Sequence, residues 1–358
     1  MEKEKGVDFE EEMVESREWV LSKYAANGFP TSDHLQMRTT RVIITEDSVP
    51  EGHAMVQLLY ISVDPYMRTR MNGLQGGLYF PQYELNQAIT AMAVGRLIKS
   101  KDPNYQAADI VVSPFFPLAE YCVTPTTYFR KIDPDAGISL PDYISAFGLP
   151  GFSAWIGIEV LGNPKPGENV FISAAAGGVG MYAGQLAKLK GCRVVGSTGS
   201  DDKVKLLKEE FGYDDAFNYK KEKDFDDALS KYFPNGIDVY LDNVGGEMLE
   251  AVLNHVNNKA RIPVCGAISQ YNQVWNESKG VRNLLNIVGK EVRMEGFLLA
   301  SYLNRFGEFV MAMESHLKQG KIVSKHKIYY GIETFLESLE SIFSGSNAGK
   351  VLIQVCKQ

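Results

Sequence analysis

The chain has 358 residues and is 45% hydrophobic, 11% aromatic and 23% charged, a composition that excludes disordered, collagen-like, coiled-coil and low-complexity readings and leaves room for about two ordinary domains. Its 37 basic and 44 acidic residues give a net charge of −7, a field that repels polyanions and argues against a nucleic-acid partner. No apolar run reaches the roughly 18 residues that a membrane-spanning helix needs, and the opening MEKEKGVDFEEEMVE is too charged for a signal or transit peptide. The expected setting is therefore the cytoplasm, with no membrane partner and with Glu2 to Glu15 as a solvated end.

The first 150 residues read as β-rich. Short β-branched or aromatic runs at Arg41 to Thr45, Ala54 to Ser62, Ala93 to Lys99 and Asp109 to Pro114 lie between Pro, Gly, Asn and Asp clusters, which suggests a small barrel or sandwich. After Gly151 strands and helices alternate: Asn169 to Ala174, Met181 to Lys190, Arg193 to Ser197, Asp201 to Phe211, then Ile237 to Asp242, Glu247 to about Val256, Ala260 to Cys265 and Val292 to Phe297. Such alternation implies five or six parallel strands covered on both faces. A helix from about Tyr302 to Lys318 and a last strand from Lys350 to Val355 are too short to stand alone and are expected to return to the first domain. The expected division is thus 1–150 with 301–358, and 151–300, with the ligand cleft between them at the carboxyl edge of the parallel sheet.

Cys122, Cys192, Cys265 and Cys356 lie far apart, and His34, His53, His255, His316 and His326 are equally scattered. With no CxxC pair and no HExxH, the expectation is neither a disulfide framework nor a metal site.

The run Phe171-Ile172-Ser173-Ala174-Ala175-Ala176-Gly177-Gly178-Val179-Gly180 follows a strand and opens a helix. Ala175, Gly177 and Gly180 fit the A/G-x-G-x-x-G spacing, in which small residues let the backbone approach a pyrophosphate at a helix N-terminus. The next strand ends in Gly199-Ser200-Asp201-Asp202-Lys203, where the tip lacks the acid that an NAD ribose usually meets. Ser200 can cap the following helix, which leaves Lys203 against the positive end of its dipole. An anion such as the 2′-phosphate of NADPH would relieve that conflict, with Tyr219 as a further donor; Asp201 or Asp202 on an NAD ribose is the alternative.

Several motifs occur together in order: Asp64-Pro65-Tyr66-Met67-Arg68, Leu149-Pro150-Gly151, Ala174 to Gly180, Gly199 to Lys203, Asp215 to Lys220, Asn243-Val244-Gly245-Gly246, and Cys265 to Asn272. On these the chain, from about residue 17 to its end, resembles the zinc-independent medium-chain dehydrogenase/reductases, in the branch of the plant NADPH-dependent alkenal double-bond reductases. That resemblance implies a GroES-like barrel domain plus a Rossmann doubly wound parallel sheet, usually as a homodimer. It also implies NADPH-dependent reduction of a C=C bond conjugated to a carbonyl in a small apolar enal or enone.

By the same resemblance, Gly177, Gly178, Val179 and Gly180 cradle the cofactor, Pro65 lies against its nicotinamide side, and Tyr66 faces the substrate. Tyr271 reaches the carbonyl or the nicotinamide ribose, and Asn243, Cys265 and Ser269 run along the cofactor. Phe297, Leu298 and Leu299 lie near the nicotinamide amide, and Asn347 near the ring. Hydride transfer to the β-carbon leaves negative charge on the carbonyl oxygen, which a tyrosine hydroxyl is suited to stabilise in a dry cleft; Tyr66, Tyr271 or water supplies the α-proton. A zinc-free NADP-dependent allylic alcohol dehydrogenase and a catalytically silent nucleotide-binding protein are the competing readings. A zinc alcohol dehydrogenase is disfavoured, because Gly52-His53-Ala54 lacks the usual acid.

Overall fold

The computed structural model describes residues 13–45, 48–74, 80–273 and 280–356; most of the acidic opening segment, residues 1–12, lies outside the described residues. The β-rich lobe is organised on strand His53–Ser62, which pairs antiparallel with Thr90–Ser100, Tyr121–Pro125 and Lys350–Gln354. Ala54, Val56 and Leu58 alternate into one apolar cluster, an irregularity in pairing between Leu58 and Tyr60 shifts the phase, and Ile61 then rejoins the same side. Leu59 and Tyr60 point into a second cluster with Val94 and Val112, so one strand serves two cores because the bulge changes which face each side chain takes.

A hairpin of Met13–Leu21 with Leu35–Ile43 lies beside this sheet. Its first strand is not apparent in the sequence, because Glu15, Arg17 and Glu18 dilute the apolar pattern; burial of Trp19 and Leu21 is what the folded chain adds.

The second lobe is a six-stranded parallel sheet in the spatial order Asp215–Asn218, Arg193–Thr198, Asn169–Ile172, Ile237–Leu241, Val256–Val264, Arg293–Gly296. Numbered along the chain this is the doubly wound order 3-2-1-4-5-6, with the reversal of winding between Asn169–Ile172 and Ile237–Leu241. The inner strands are apolar on both faces because helices cover both; Phe171 stacks on Tyr240 at 5.0 Å and on Phe217 at 5.9 Å.

The segment after residue 300 divides. A short 3-10 helix Leu299–Arg305 precedes helix Phe306–Lys318, which starts later than the sequence suggests and buries Phe309 and Met313 in the cluster of Phe152, Trp155 and Leu186, beside the parallel sheet. Strand Lys350–Gln354 crosses to the β-rich lobe and pairs with His53–Ser62.

The crossing is pinned. Gly349 N–H donates to Ala176 O at 2.8 Å, and Gly349 has φ +74° with Lys325 O only 2.1 Å from where a Cβ would sit, so no other residue fits without a shift. Next to it Lys350, 2% exposed, gives its Nζ to Asp64 Oδ1 at 2.8 Å and to Val63 O. Removing one partner leaves an uncompensated buried charge. Lys350→Met is expected to lower the unfolding free energy by about 3–5 kcal/mol in urea titration, and Lys350→Met with Asp64→Asn to recover a large part of that loss.

Candidate active site

Between the lobes lies a cavity of about 890 Å³. It sits outside the carboxyl ends of the parallel strands, at the point where the winding reverses, which is where open α/β sheets bind ligands. Every site residue expected from the sequence lines it: Pro65 and Tyr66 from the β-rich lobe; Gly177, Gly178, Val179 and Gly180; Lys203 and Tyr219; Asn243; Cys265, Ser269 and Tyr271; Phe297, Leu298 and Leu299; and Asn347. Among the described residues, no group of three or more His, Cys, Asp and Glu is arranged to hold a metal ion.

The glycine turn is built for close approach. A Cβ on Gly180 would lie 2.5 Å from Ala175 Cα and 2.6 Å from Ala174 O, so the helix Gly180–Leu189 starts tight against its strand. Tyr213 Oη donates to Gly180 O at 2.7 Å, and Val179 at the N-cap offers no side-chain cap. Met181, Tyr182 and Ala183 N–H already donate to Gly177 O and Val179 O, so the N–H groups of Val179 and Gly180, which have no backbone acceptor among the described residues, are the ones that remain to meet a phosphate.

At the tip of the next strand Ser200 caps helix Asp201–Glu209, accepting from Lys203 N–H at 3.4 Å as its sequence position suggests. Lys203 Nζ donates to Gly345 O at 2.6 Å, and Lys220 Nζ to Ser344 O at 3.1 Å. No carboxylate among the described residues pairs with either lysine, and burial, then the neighbouring Lys220 charge, pushes the Lys203 pKa down. An anion at this corner, beside the Tyr219 hydroxyl, would neutralise both; the fit to a 2′-phosphate rests on this pair of uncompensated ammonium groups. The alternative of an acid on a ribose is overturned by position. Asp201 is committed to Lys221 and, at 3.0 Å, to Asn218 Nδ2, and neither Asp201 nor Asp202 lines the cavity.

The loop after strand Ile237–Leu241 is held from beneath. Asp242 is fully buried, and its Oδ1 accepts from Tyr240 Oη at 2.7 Å, Gly245 N–H at 2.8 Å and Val244 N–H at 2.9 Å. Asn243 donates to Ser173 O at 2.8 Å, and Ser269 Oγ to Val244 O at 2.6 Å, so the walls formed by three strand ends are one hydrogen-bonded unit.

At the opposite end the cavity is apolar. Tyr66 packs on Phe80 with ring centroids 5.2 Å apart, and Phe297, Leu298 and Leu299 continue the wall. Tyr271 follows the short 3-10 helix Ile268–Gln270, and its Oη accepts from Ala267 N–H at 3.2 Å. Cys265 shows part of its surface to the cavity, but burial of the thiol raises its pKa to about 12, against a hydrogen bond from the Ser153 side that lowers it.

Residues 178–315 match the family described as zinc-binding dehydrogenase, and residues 17–132 match the one described as N-terminal domain of oxidoreductase. A 2-alkenal reductase (NADP(+)-dependent) of Nicotiana tabacum is 40% identical, over 97% of this chain and 99% of that protein. The chain belongs to the medium-chain dehydrogenase/reductases, in their alkenal double-bond reductase branch. A (+)-pulegone reductase of Mentha piperita is 38% identical over 97% of this chain and 100% of that protein. The crystal structure of CurA from Vibrio vulnificus in complex with NADPH superposes with a TM-score of 0.87 at 29% identity, covering 96% of this chain and 100% of that one.

In this member of the family the cavity also takes side chains to which the sequence pattern assigned no role: Asp64, Phe80, Ser153 and Lys350. Asp64 and Lys350 both lie inside or beside recognisable motifs, but they are 286 residues apart and only the fold pairs them. The raised pKa of Cys265 excludes a thiolate nucleophile at neutral pH. Accordingly, iodoacetamide at pH about 8 is expected to leave Cys265 unmodified in the native protein and to alkylate it only after unfolding, as read by peptide mass mapping.

Proposed function

We propose that the protein reduces the carbon–carbon double bond of an α,β-unsaturated aldehyde or ketone with NADPH as reductant. The observation that carries this reading is a single cavity with uncompensated lysine charge at one end and a tyrosine-edged apolar pocket at the other, in a chain 40% identical to a 2-alkenal reductase. When bound, NADPH supplies the hydride that reaches the β-carbon.

The chain's own residues do the rest. Gly177, Gly178, Val179 and Gly180 hold the pyrophosphate, and Lys203 and Tyr219 the 2′-phosphate. Pro65, Asn243, Cys265, Ser269, Phe297, Leu298, Leu299 and Asn347 enclose the nicotinamide half. Tyr66, backed by Phe80, forms a flat apolar wall for a planar enone. As the double bond is reduced, negative charge moves to the carbonyl oxygen, where the Tyr271 hydroxyl donates a hydrogen bond to the enolate. A proton from Tyr66, Tyr271 or water then adds to the α-carbon, restoring the carbonyl and completing the saturated product. A hydroxyl that already accepts the Ala267 N–H is the stronger donor for it, and a preorganised donor in a water-poor pocket costs no reorganisation. The β-rich lobe, residues 1–150 with the strands after 301, carries the substrate side, and residues 151–300 the cofactor side.

The four free cysteines support a cytoplasmic setting, where thiols stay reduced, and no helix among the described residues is long and apolar enough to cross a membrane. A homodimer is supported by strand Arg293–Gly296, which forms one edge of the parallel sheet, with Leu284, Leu285, Val288, Leu298 and Leu303 exposed in and around it. A second copy pairing there edge to edge covers the same surface on both chains.

NADPH absorbance is expected to fall with enals and enones and not to be regenerated from NADP with the matching allylic alcohol. In that assay Tyr271→Phe should lower kcat roughly 10²–10³-fold, the scale for loss of an oxyanion donor, at unchanged NADPH affinity. Lys203→Ala should weaken NADPH about 10- to 100-fold while leaving NADH use nearly unaltered. Sedimentation equilibrium is expected to report the mass of two chains, and Leu285→Asp to shift it towards one.

A further inference from the structure

Tyr66 and Tyr271 come from different lobes of the cavity wall, and a third residue ties their two segments together. Arg68 lies on the short helix Tyr66–Thr69, is 0% exposed and does not line the cavity. Its guanidinium meets no carboxylate among the described residues. Instead Nη2 donates to Ala25 O at 2.9 Å and to Gly28 O at 2.7 Å, and Nε donates to Asn272 Oδ1 at 2.8 Å across 204 residues of sequence. Gly28 N–H returns a hydrogen bond to Asn272 O at 3.0 Å, and Ala25 N–H binds Met71 O at 2.8 Å.

A cation buried without a counter-charge is costly, and Nη1 has no partner at all among the described residues. Burial without neutralisation also draws its pKa down to about 10. Stability alone gives no reason to retain such a group. Geometry does, because the planar fork fixes three oxygens in one plane at set distances, which a lysine or an apolar side chain cannot do.

We propose that Arg68 is a positioning residue: its bond to the Asn272 side chain sets where Tyr271 stands relative to Tyr66 across the substrate pocket. This rests on the reading of Tyr271 as the donor to the substrate carbonyl. Tyr271 immediately precedes Asn272, and Tyr66 is on the same short helix as Arg68, so the strut acts between backbones one or two residues from each ring. The loop that carries Tyr271 is otherwise anchored on the parallel-sheet side, by Ile268 N–H to Asn243 O at 3.2 Å and Ser269 Oγ to Val244 O at 2.6 Å. On the opposite lobe it is held by Gly28 N–H to Asn272 O at 3.0 Å and by Arg68, which binds the Asn272 side chain and, through Gly28 O, also fixes the residue that makes that backbone contact.

The test is a double-variant cycle on the full chain. Asn272→Ala removes the acceptor from a partly exposed side chain, with little risk to folding; Arg68→Lys keeps the charge and loses the fork. Each is expected to lower kcat for an enal roughly 10- to 100-fold, the scale for misplacing a catalytic group by about an ångström, with the NADPH dissociation constant unchanged by fluorescence titration. In a Tyr271→Phe background, Asn272→Ala should cost nothing further, since the hydroxyl it positions is gone. Fluorotyrosine incorporated at position 271 should give one fluorine NMR resonance in the parent protein and a broadened or split one with Asn272→Ala, without any cofactor or turnover. Losses that multiply in the double variant, or an Asn272→Ala protein with parental kcat and an unchanged fluorine spectrum, overturn the proposal. Full turnover of Tyr271→Phe alone shows instead that the underlying reading of Tyr271 has failed.

Discussion

A buried lysine holds the two halves of the cavity in register. Lys350 reaches Asp64 and Val63 at the end of the central strand of the β-rich lobe, while the residue before it is hydrogen-bonded to Ala176 in the glycine turn. The Lys350 side chain passes within 3.2 Å of where a Gly178 Cβ would be, so a larger residue there would press on the lysine stem that closes the seam. Burial lowers the Lys350 pKa even with the Asp64 carboxylate beside it, which means that desolvation outweighs attraction. A pair of this kind contributes location more than stability. The glycine turn and the helix that carries Tyr66 are both measured from it.

Chemistry is sorted along the cavity by what each end can solvate. One end gathers Lys203, Lys220 and backbone N–H groups at the start of a helix, in a chain whose overall charge is −7. That local reversal of sign selects a phosphorylated ligand end without needing a basic protein. The other end is lined by Tyr66, Phe80, Phe297 and Leu299, where a carbonyl finds few competitors for the tyrosine hydroxyls. Distance between the two ends is kept by shared hydrogen bonds: Asp242 under the Asn243–Gly245 loop, Ser269 on Val244, and Arg68 on Asn272.

Features carried by neighbouring residues were readable in advance. The strand, glycine turn and helix around Gly177 fall in one unbroken stretch from Asn169 to Leu189, and Ser200 with Lys203 lies within one helical turn, so spacing alone conveyed their geometry. The neutral strand tip and the dipole conflict at Lys203 already favoured that lysine over the acids Asp201 and Asp202; what the spacing did not carry is why the acids are out of play, because that turns on Lys221 and Asn218 capturing Asp201 from the next strand end. Tyr66 and Tyr271 emerged from family motifs and not from any local pattern among 18 tyrosines. The strand Met13–Leu21 is not legible because Glu15, Arg17 and Glu18 interrupt the apolar alternation in a hairpin whose partner starts 14 residues later.

The amino-acid sequence by itself determined the cofactor chemistry and the alternation of elements, because short-range sterics and helix-end electrostatics act over a few residues. Only the tertiary structure decided which distant groups share the pocket. Asp64 meets Lys350, Arg68 meets Asn272, and helix Phe306–Lys318 packs beside the parallel sheet. Such partners are chosen by the closing of long loops and the burial of specific surfaces, and no local spacing along the chain encodes them.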